Sequence, residues 1–146
     1  MVTKSSAEYI THRQWLGDVV GGSGLILCYT SALECLNLFL GYLDETRIDV
    51  YAKERGEYEN INYRIRDSLV NLDIIPVGNL LCTSINQTIN DMLQDFNNID
   101  EQSFLEALSN YYFRNSERFD GLVINPENMN LFNTVKQWAL EYHAVS

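Results

Sequence analysis

The residues that could do acid–base or nucleophilic chemistry are few and scattered. The two histidines, His12 and His143, lie near opposite ends of the 146-residue chain. Nucleophilic catalysis needs a nucleophile, a base and an orienting group side by side. We expect His12 in the first turn of a helix and His143 at a helix C-terminus, where the dipole favours a cation. The sequence therefore predicts no catalytic residue and a protein that is not an enzyme.

Metal-binding patterns are also missing from the sequence. Cys28, Cys35 and Cys82 form no CxxC pair, and no HExxH motif or EF-hand loop occurs. No Asp-x-Asp accompanies Gly22-Ser23, although magnesium-dependent nucleotidyltransferases need that pair. No lysine has an acidic residue two positions before it, a spacing that many metal-dependent nucleases use. We expect neither a metal nor a cofactor, and we interpret Cys28 and Cys82 as buried apolar side chains.

The charge balance is the most informative bulk property. The chain carries 20 acidic and 10 basic residues, a net charge of −10. Proteins that bind nucleic acid usually carry a basic patch, because neutralising phosphates supplies most of their non-specific affinity. We therefore do not expect DNA binding by this chain alone. No run of 18 apolar residues and no signal-peptide core occurs, so we expect a cytoplasmic protein without membrane contact.

The pattern of apolar residues predicts one domain over residues 1–146, with residues 1–10 as a loose tail. A short helix is expected from His12 to Val20. The most apolar run then predicts a core helix over Ser31–Leu40, with Ser31 and Glu34 at the spacing of a capping box. Just before this helix, Leu25–Tyr29 fits either a strand or a helical lead-in.

Strands and further helices follow the core helix. Alternation predicts strands at Arg47–Ala52 and Ile61–Arg66, interpreted as an antiparallel hairpin with one wet face. Two further short strands are expected at Asp73–Pro76 and Asn79–Cys82. Three helices are expected to begin at Ser84, at Asp100 and at Asn125-Pro126, and one extended piece is expected at Leu122–Ile124. This order predicts an α+β fold: a small antiparallel or mixed sheet of about 3–5 strands packed with about five helices, helical in its C-terminal half.

One part of the chain resembles a known family. The resemblance lies in the segments Arg47–Tyr51, Ile61–Ile65, Asp73–Ile75 and Leu81–Leu93, the last with Thr83-Ser84, Thr88 and Asp91 at distinctive spacing. This pattern is similar to the AbiEi family of antitoxins from abortive-infection type IV toxin–antitoxin systems. Ser31–Leu36 is similar to the helix that precedes these strands in that family. The resemblance covers roughly residues 30 to 112.

The resemblance implies an antitoxin-like protein that neutralises a partner toxin by direct contact, in phage defence. In the family that toxin is commonly a nucleotidyltransferase. Family members usually carry an N-terminal winged helix, for which the roughly thirty residues that precede the resembling part of this chain are too few. They also often have Pro-Glu-Arg where this chain has Ile85-Asn86-Gln87. The alternatives are a transcriptional regulator, which would use Arg64 and Arg66, and a divergent metal-dependent nuclease-type enzyme.

The candidate partner-binding residues are Arg64, Arg66, Tyr111 and Tyr112, because arginine and tyrosine are enriched at protein interfaces. Tyrosines at helical spacing are also common in cores, and this second interpretation stays open. Thr88 and Asp91 are expected to support folding by bonding to neighbouring backbone.

Overall fold

A computed structural model of the chain describes residues 25–39, 48–56 and 61–145, with side chains as far as 141. The expected tail 1–10 and the expected helix His12–Val20 lie outside these ranges. The strands are β1 (Ile26–Leu27), β2 (Ile48–Ala52), β3 (Ile61–Ile65), β4 (Ile74–Val77) and β5 (Leu80–Thr83). The α-helices are α1 (Tyr29–Cys35), α2 (Ile85–Gln94), α3 (Glu101–Arg114) and α4 (Met129–Val145), with single 3-10 turns at Phe96–Asn98 and Pro126–Asn128.

The five strands form one mixed sheet in the order β3-β2-β1-β5-β4. β1 pairs parallel with β5 and β2 parallel with β3, whereas the other two pairings are antiparallel. The strands precede most of the helical residues, and α2, α3 and α4 fill the C-terminal half. The α+β class and the mixed five-stranded sheet are therefore confirmed.

The predicted antiparallel hairpin of β2 and β3 is wrong. These strands run parallel, with Ile48 beside Ile61 and Ala52 beside Ile65. Alternation assigns side chains to faces equally well in either direction, so it does not determine strand direction. The expected wet face is also wrong for β2, because Tyr51 is buried.

The two faces of the sheet differ in polarity. Paired residues point to the same face, so one row across the sheet reads Arg64, Tyr51, Ile26, Leu81, Pro76. We call this the polar face, because Asp49 and Asn62 also lie on it. The opposite face is apolar and buried throughout its centre, with Leu27, Ile48, Val50, Ile61, Leu80 and Cys82. All three cysteines are buried, as predicted for Cys28 and Cys82.

Helix α1 differs from the helix predicted at Ser31–Leu40. Its N-cap residue is Cys28, so Ser31 lies inside the helix and its hydroxyl accepts from the Asp49 backbone instead, at 2.9 Å. The helix ends early because Asn37 adopts a left-handed conformation (φ 64°). Leu38 N–H then reaches the Leu33 carbonyl at 2.9 Å, which is the Schellman closure of a helix. The predicted capping box was therefore wrong.

Helix α2 begins as the sequence predicts. The Ser84 hydroxyl accepts from the Gln87 N–H at 3.2 Å. Thr88 is buried and bonds the Ser84 carbonyl at 2.7 Å and the Thr83 hydroxyl at 2.6 Å, so it does bond neighbouring backbone. The Gln87 side chain accepts from the Asp73 backbone at 3.0 Å rather than closing the capping box. The β5–α2 junction is thus fixed by the side chains of residues 84, 87 and 88.

The segment between α3 and α4 is held by asparagines of α2. Leu122–Ile124 belongs to no strand; Val123 bonds two side chains, its N–H to Asn86 and its carbonyl to Asn90, both at 2.8 Å. Asn90 also accepts from the Asn125 N–H at 2.8 Å, and the Asn128 amide reaches the Asn90 side chain at 3.2 Å. We call this set the asparagine latch. It fixes the 3-10 turn Pro126–Asn128 that leads into α4, and Pro126 begins this turn as predicted, although the Asn125 side chain makes no capping bond.

None of the helices in the described ranges is long and apolar enough to span a membrane.

Replacing Asn90 with alanine tests the latch. Asn90 is buried and bonds the Val123 carbonyl, the Asn125 N–H and the buried Asn128 side chain, and a buried polar group that loses its partner costs about 1–3 kcal/mol. We expect Asn90→Ala to lower the free energy of unfolding by about 2–3 kcal/mol in urea titrations.

The matched control is Asn98→Ala, because Asn98 is exposed and its side chain donates to Asp95 on the same exposed turn. Its cost should stay within about 0.5 kcal/mol. Equal costs for the two variants would contradict the latch.

Candidate functional site

The candidate site lies on the polar face of the sheet, where β2 and β3 meet α1 and α2. Two arginine–tyrosine pairs stand side by side there, Arg64 with Tyr29 and Arg66 with Tyr51. Carboxylates of α2 and its C-cap contact both tyrosines. We call this arrangement the arginine–tyrosine cluster. It contains two of the four predicted partner-binding residues.

Arg64 is the centre of the first pair. Its guanidinium carbon lies 3.7 Å from the centre of the Tyr29 ring, close enough for a cation–π contact. Two carboxylates flank the guanidinium, Asp49 at 3.3 Å and Asp95 at 3.7 Å, and the Tyr29 hydroxyl donates to Asp95 at 3.1 Å. The Arg64 side chain is only 25% exposed. It therefore links β3 to β2, to the start of α1 and to the end of α2.

Tyr29 has an unusual backbone. It is the first residue of α1 and has φ 51°, a left-handed conformation that a bulky non-glycine residue rarely adopts. The turn from β1 into α1 places its ring under Arg64. Backbone strain of this kind persists only where surrounding contacts hold the residue in place. Tyr29 is held by its contacts with Arg64 and Asp95.

Tyr51 and Asp91 form the second half of the cluster. The Tyr51 hydroxyl donates to Asp91 at 2.8 Å, and the Gln87 amide donates to the other oxygen of that carboxylate at 2.9 Å. Arg66 lies above the Tyr51 ring at 5.1 Å and donates from Nε to the Ser68 carbonyl. The expectation that Asp91 bonds backbone is wrong, since its partners are side chains on β2 and α2.

Burial dominates the electrostatics of the cluster. Burial raises the pKa values of Tyr29 and Tyr51 above the ordinary phenol value, so both hydroxyls remain donors near neutral pH. Burial also raises the pKa of the Cys28 thiol, which disfavours a reactive thiolate. Across the described ranges, no group of three or more His, Cys, Asp or Glu side chains could hold a metal ion.

The two predicted tyrosines lie on α3, in a separate aromatic group. The Tyr111 hydroxyl donates to the Asp120 carbonyl and lies against Gly121, whose φ is 94°. Tyr112 contacts Phe113 and Phe119 at ring-centre distances of 5.0 and 4.8 Å. Both tyrosines are half-buried, so they hold the loop after α3 and keep part of their surface exposed.

Sequence reasoning named Arg64 and Arg66 but did not name their partners Tyr29, Tyr51 and Asp95. One signal was available. Gln87, Asp91 and Asp95 recur every four residues and must share one side of a helix. This polar stripe lies beside the apolar stripe of the same helix, so it indicates that the helix also packs against polar side chains of another element. Which tyrosines it meets depends on the strand order, which the sequence does not specify.

No family model matches this sequence, and no curated protein matches it.

Arg64 variants test how far the cluster depends on its guanidinium. Arg64→Ala removes the contact with Tyr29 and the ion pairs with Asp49 and Asp95, so we expect a loss of about 2–3 kcal/mol in the free energy of unfolding. Arg64→Lys keeps the charge but loses the planar stacking and should cost about 1 kcal/mol. Chemical denaturation measures both values.

Arg118→Ala is the matched control for these variants. Arg118 pairs with Asp120 at 3.8 Å, but both side chains are more than two-thirds exposed. Exposed pairs contribute about 0–1 kcal/mol, so this variant should stay close to the wild type. A larger loss in Arg118→Ala than in Arg64→Ala would refute the central position of Arg64.

Asp91 predicts a specific pH dependence. Burial raises its pKa above the ordinary carboxyl value, although hydrogen bonds from Tyr51 and Gln87 partly oppose the shift. A raised pKa in the folded state gives a stability contribution that is complete below the unfolded pKa and is lost as pH rises through the folded pKa. Asp91→Asn cannot ionise and still accepts from Tyr51. Its Tm relative to the wild type should therefore rise between about pH 4 and about pH 7.

Asp120→Asn serves as the control for this measurement, because Asp120 is exposed and its ion pair is with the exposed Arg118. Its difference in Tm should be small at both pH values. A Tm difference for Asp91→Asn that falls with rising pH would show that ionised Asp91 is favoured in the folded state.

Proposed function

We propose that this chain is an antitoxin-like protein that binds and neutralises a partner toxin by direct contact, in phage defence and in the cytoplasm. The toxin would be a nucleic-acid-acting enzyme of the nucleotidyltransferase type. The proposal rests on the resemblance to AbiEi antitoxins over residues 30 to 112, and on the contacts that those same residues make.

The observation that supports the proposal is a network of hydrogen bonds among residues of the segments that resemble the family. Thr83, Ser84 and Thr88 bond one another at the β5–α2 junction. Three residues further on, Asp91 bonds Tyr51 on β2. The spacing of the resembling segment thus places its polar residues in one connected network, as expected if they preserve a fold shared with the family.

The charge distribution supports a basic partner. In the described ranges nine acidic residues are exposed, against four basic ones. The acidic set is Glu54, Asp67, Asp73, Asp100, Glu101, Glu117, Asp120, Glu127 and Glu141, and the basic set is Lys53, Arg55, Arg114 and Arg118. Such an excess steers a basic protein toward the chain and disfavours phosphate backbones. An enzyme that acts on nucleic acid carries the complementary charge.

The arginine–tyrosine cluster offers a contact surface for such a partner. Arg66 is half-exposed above Tyr51, and Arg64 already carries two carboxylates. DNA binding through Arg64 would have to displace Asp49 and Asp95 from its guanidinium. The cluster therefore suits a protein partner, which can place its own polar groups around these existing pairs, better than a phosphate.

Co-expression with the product of the adjacent gene tests the proposal. We expect the chain to restore growth to cells that express a toxic neighbour and to co-purify with it. The association rate should fall about tenfold or more between low and high salt, because steering between opposite charges is screened. A neighbour that is not toxic, or that this chain neither rescues nor binds, would overturn the proposal.

Point variants then locate the contact. Arg66→Ala should weaken toxin binding by about tenfold, as removal of a central interface arginine does. Arg118→Ala also removes an arginine, but one that forms an exposed ion pair with Asp120, so it should leave the affinity for the toxin unchanged. Circular dichroism of both variants checks that a loss of binding is not a loss of folding.

A further inference from the structure

Strand β4 forms one edge of the sheet, and the β4–β5 hairpin contains no charged residue. β4 is last in the order β3-β2-β1-β5-β4, and no further strand of the described ranges pairs with it. The sequence from Ile74 to Cys82 has no acidic or basic side chain, and the nearest charge along the chain is Asp73. Charged side chains commonly protect edge strands from pairing with another molecule. β4 lacks that protection in its own sequence.

The register of β4 shows which of its backbone groups face the open edge. Along an antiparallel ladder, residue pairs that exchange hydrogen bonds alternate with pairs that do not. The Ser84 N–H donates to the Asp73 carbonyl at 2.8 Å, so the bonded pairs are Asp73 with Ser84, Ile75 with Cys82 and Val77 with Leu80. Ile74 and Pro76 lie between these pairs. Their backbone groups therefore point away from β5, toward the open edge.

Pro76 occupies an outward position at which an added strand would need a donor. The residue is exposed, and proline has no backbone N–H, because its ring is closed on that nitrogen. A carbonyl of an added strand would meet this ring instead of a donor. The carbonyl would then lose its bond to water without gaining another, which opposes pairing. Prolines within sheets are confined to such edge positions.

The rest of β4 favours pairing with another strand. Ile74, Ile75 and Val77 are partly exposed, and the register with β5 is continuous, without a bulge that would turn the edge away. Leu81 lies beside Pro76 on β5 and is 36% exposed. A strand added to β4 would therefore bury apolar surface as well as form hydrogen bonds. Pro76 is thus the feature of this strand that opposes the addition.

We propose that Pro76 prevents two copies of this chain from pairing through their β4 strands. In an antiparallel pair centred on Ile75, Ile74 of each copy would bond residue 76 of the other copy. A residue with an N–H at position 76 would complete both hydrogen bonds of each such pair, whereas proline leaves one of them unmade. Asp73 would stand opposite Val77 of the other copy, so the two aspartates would not meet. This inference does not depend on the proposed antitoxin function.

Sedimentation velocity of the full chain tests this role of Pro76. The measurement is made at about 0.5 M salt, which screens the repulsion between copies of net charge −10. Pro76→Val and Pro76→Thr both restore the backbone N–H. We expect both variants to associate at least about tenfold more tightly than the 16.8 kDa wild type. Threonine matches valine in shape but is polar, so an effect of both variants assigns the association to the backbone donor.

Pro126→Ala is the matched control, because it removes the other proline of the chain from a turn outside the sheet. It should sediment like the wild type. Three outcomes would overturn the proposal: position-76 variants that sediment like the wild type, association of the valine variant alone, or equal association of Pro126→Ala. The second would assign the effect to the apolar side chain and the third to the loss of any proline. Circular dichroism spectra that match the wild type show that the variants remain folded.

Discussion

The Arg64 side chain, packed on the Tyr29 ring, joins two strands of the sheet to two helices. Arg64 lies on an edge strand of the sheet, and Tyr29 is the first residue of α1. The same guanidinium reaches Asp49 on β2 and Asp95 at the end of α2. A cation held between two carboxylates and an aromatic ring has few alternative positions. This one side chain therefore sets how the edge of the sheet meets two helices.

Helix α2 completes this arrangement because each of its three sides contacts a different part of the structure. Its apolar stripe, with Ile89 and Met92, packs into the core. A second stripe, Gln87 and Asp91, meets Tyr51 on the polar face. The third, Asn86 and Asn90, holds the segment before α4. Polar groups in such positions are stable only with every partner in place, so α2 fixes the sheet and the C-terminal helices together.

The exposed surface of the described ranges is predominantly acidic. Nine exposed acidic side chains stand against four exposed basic ones, and Glu141 on α4 is one of the nine. Opposite charge favours an encounter with a basic protein.

The sequence by itself determined the α+β class, most of the elements and two residues of the cluster. Ser84 and Gln87 predicted the start of α2, and Pro126 marked the approach to α4, because caps and prolines act through bonds within a few residues. Alternation also placed Arg64 and Arg66 on one side of β3. These features depend on local geometry, which a short stretch of sequence specifies.

Only the tertiary structure decided the direction of β3, the early end of α1 and the partners of Arg64. Parallel and antiparallel strands share one alternation pattern, so pairing is settled by the packing of the whole sheet. Tyr29 and Asp95 are 66 residues apart and meet only once the strands are ordered. Long-range contacts of this kind depend on the sum of many burial energies, whereas a cap or a turn depends on one neighbour.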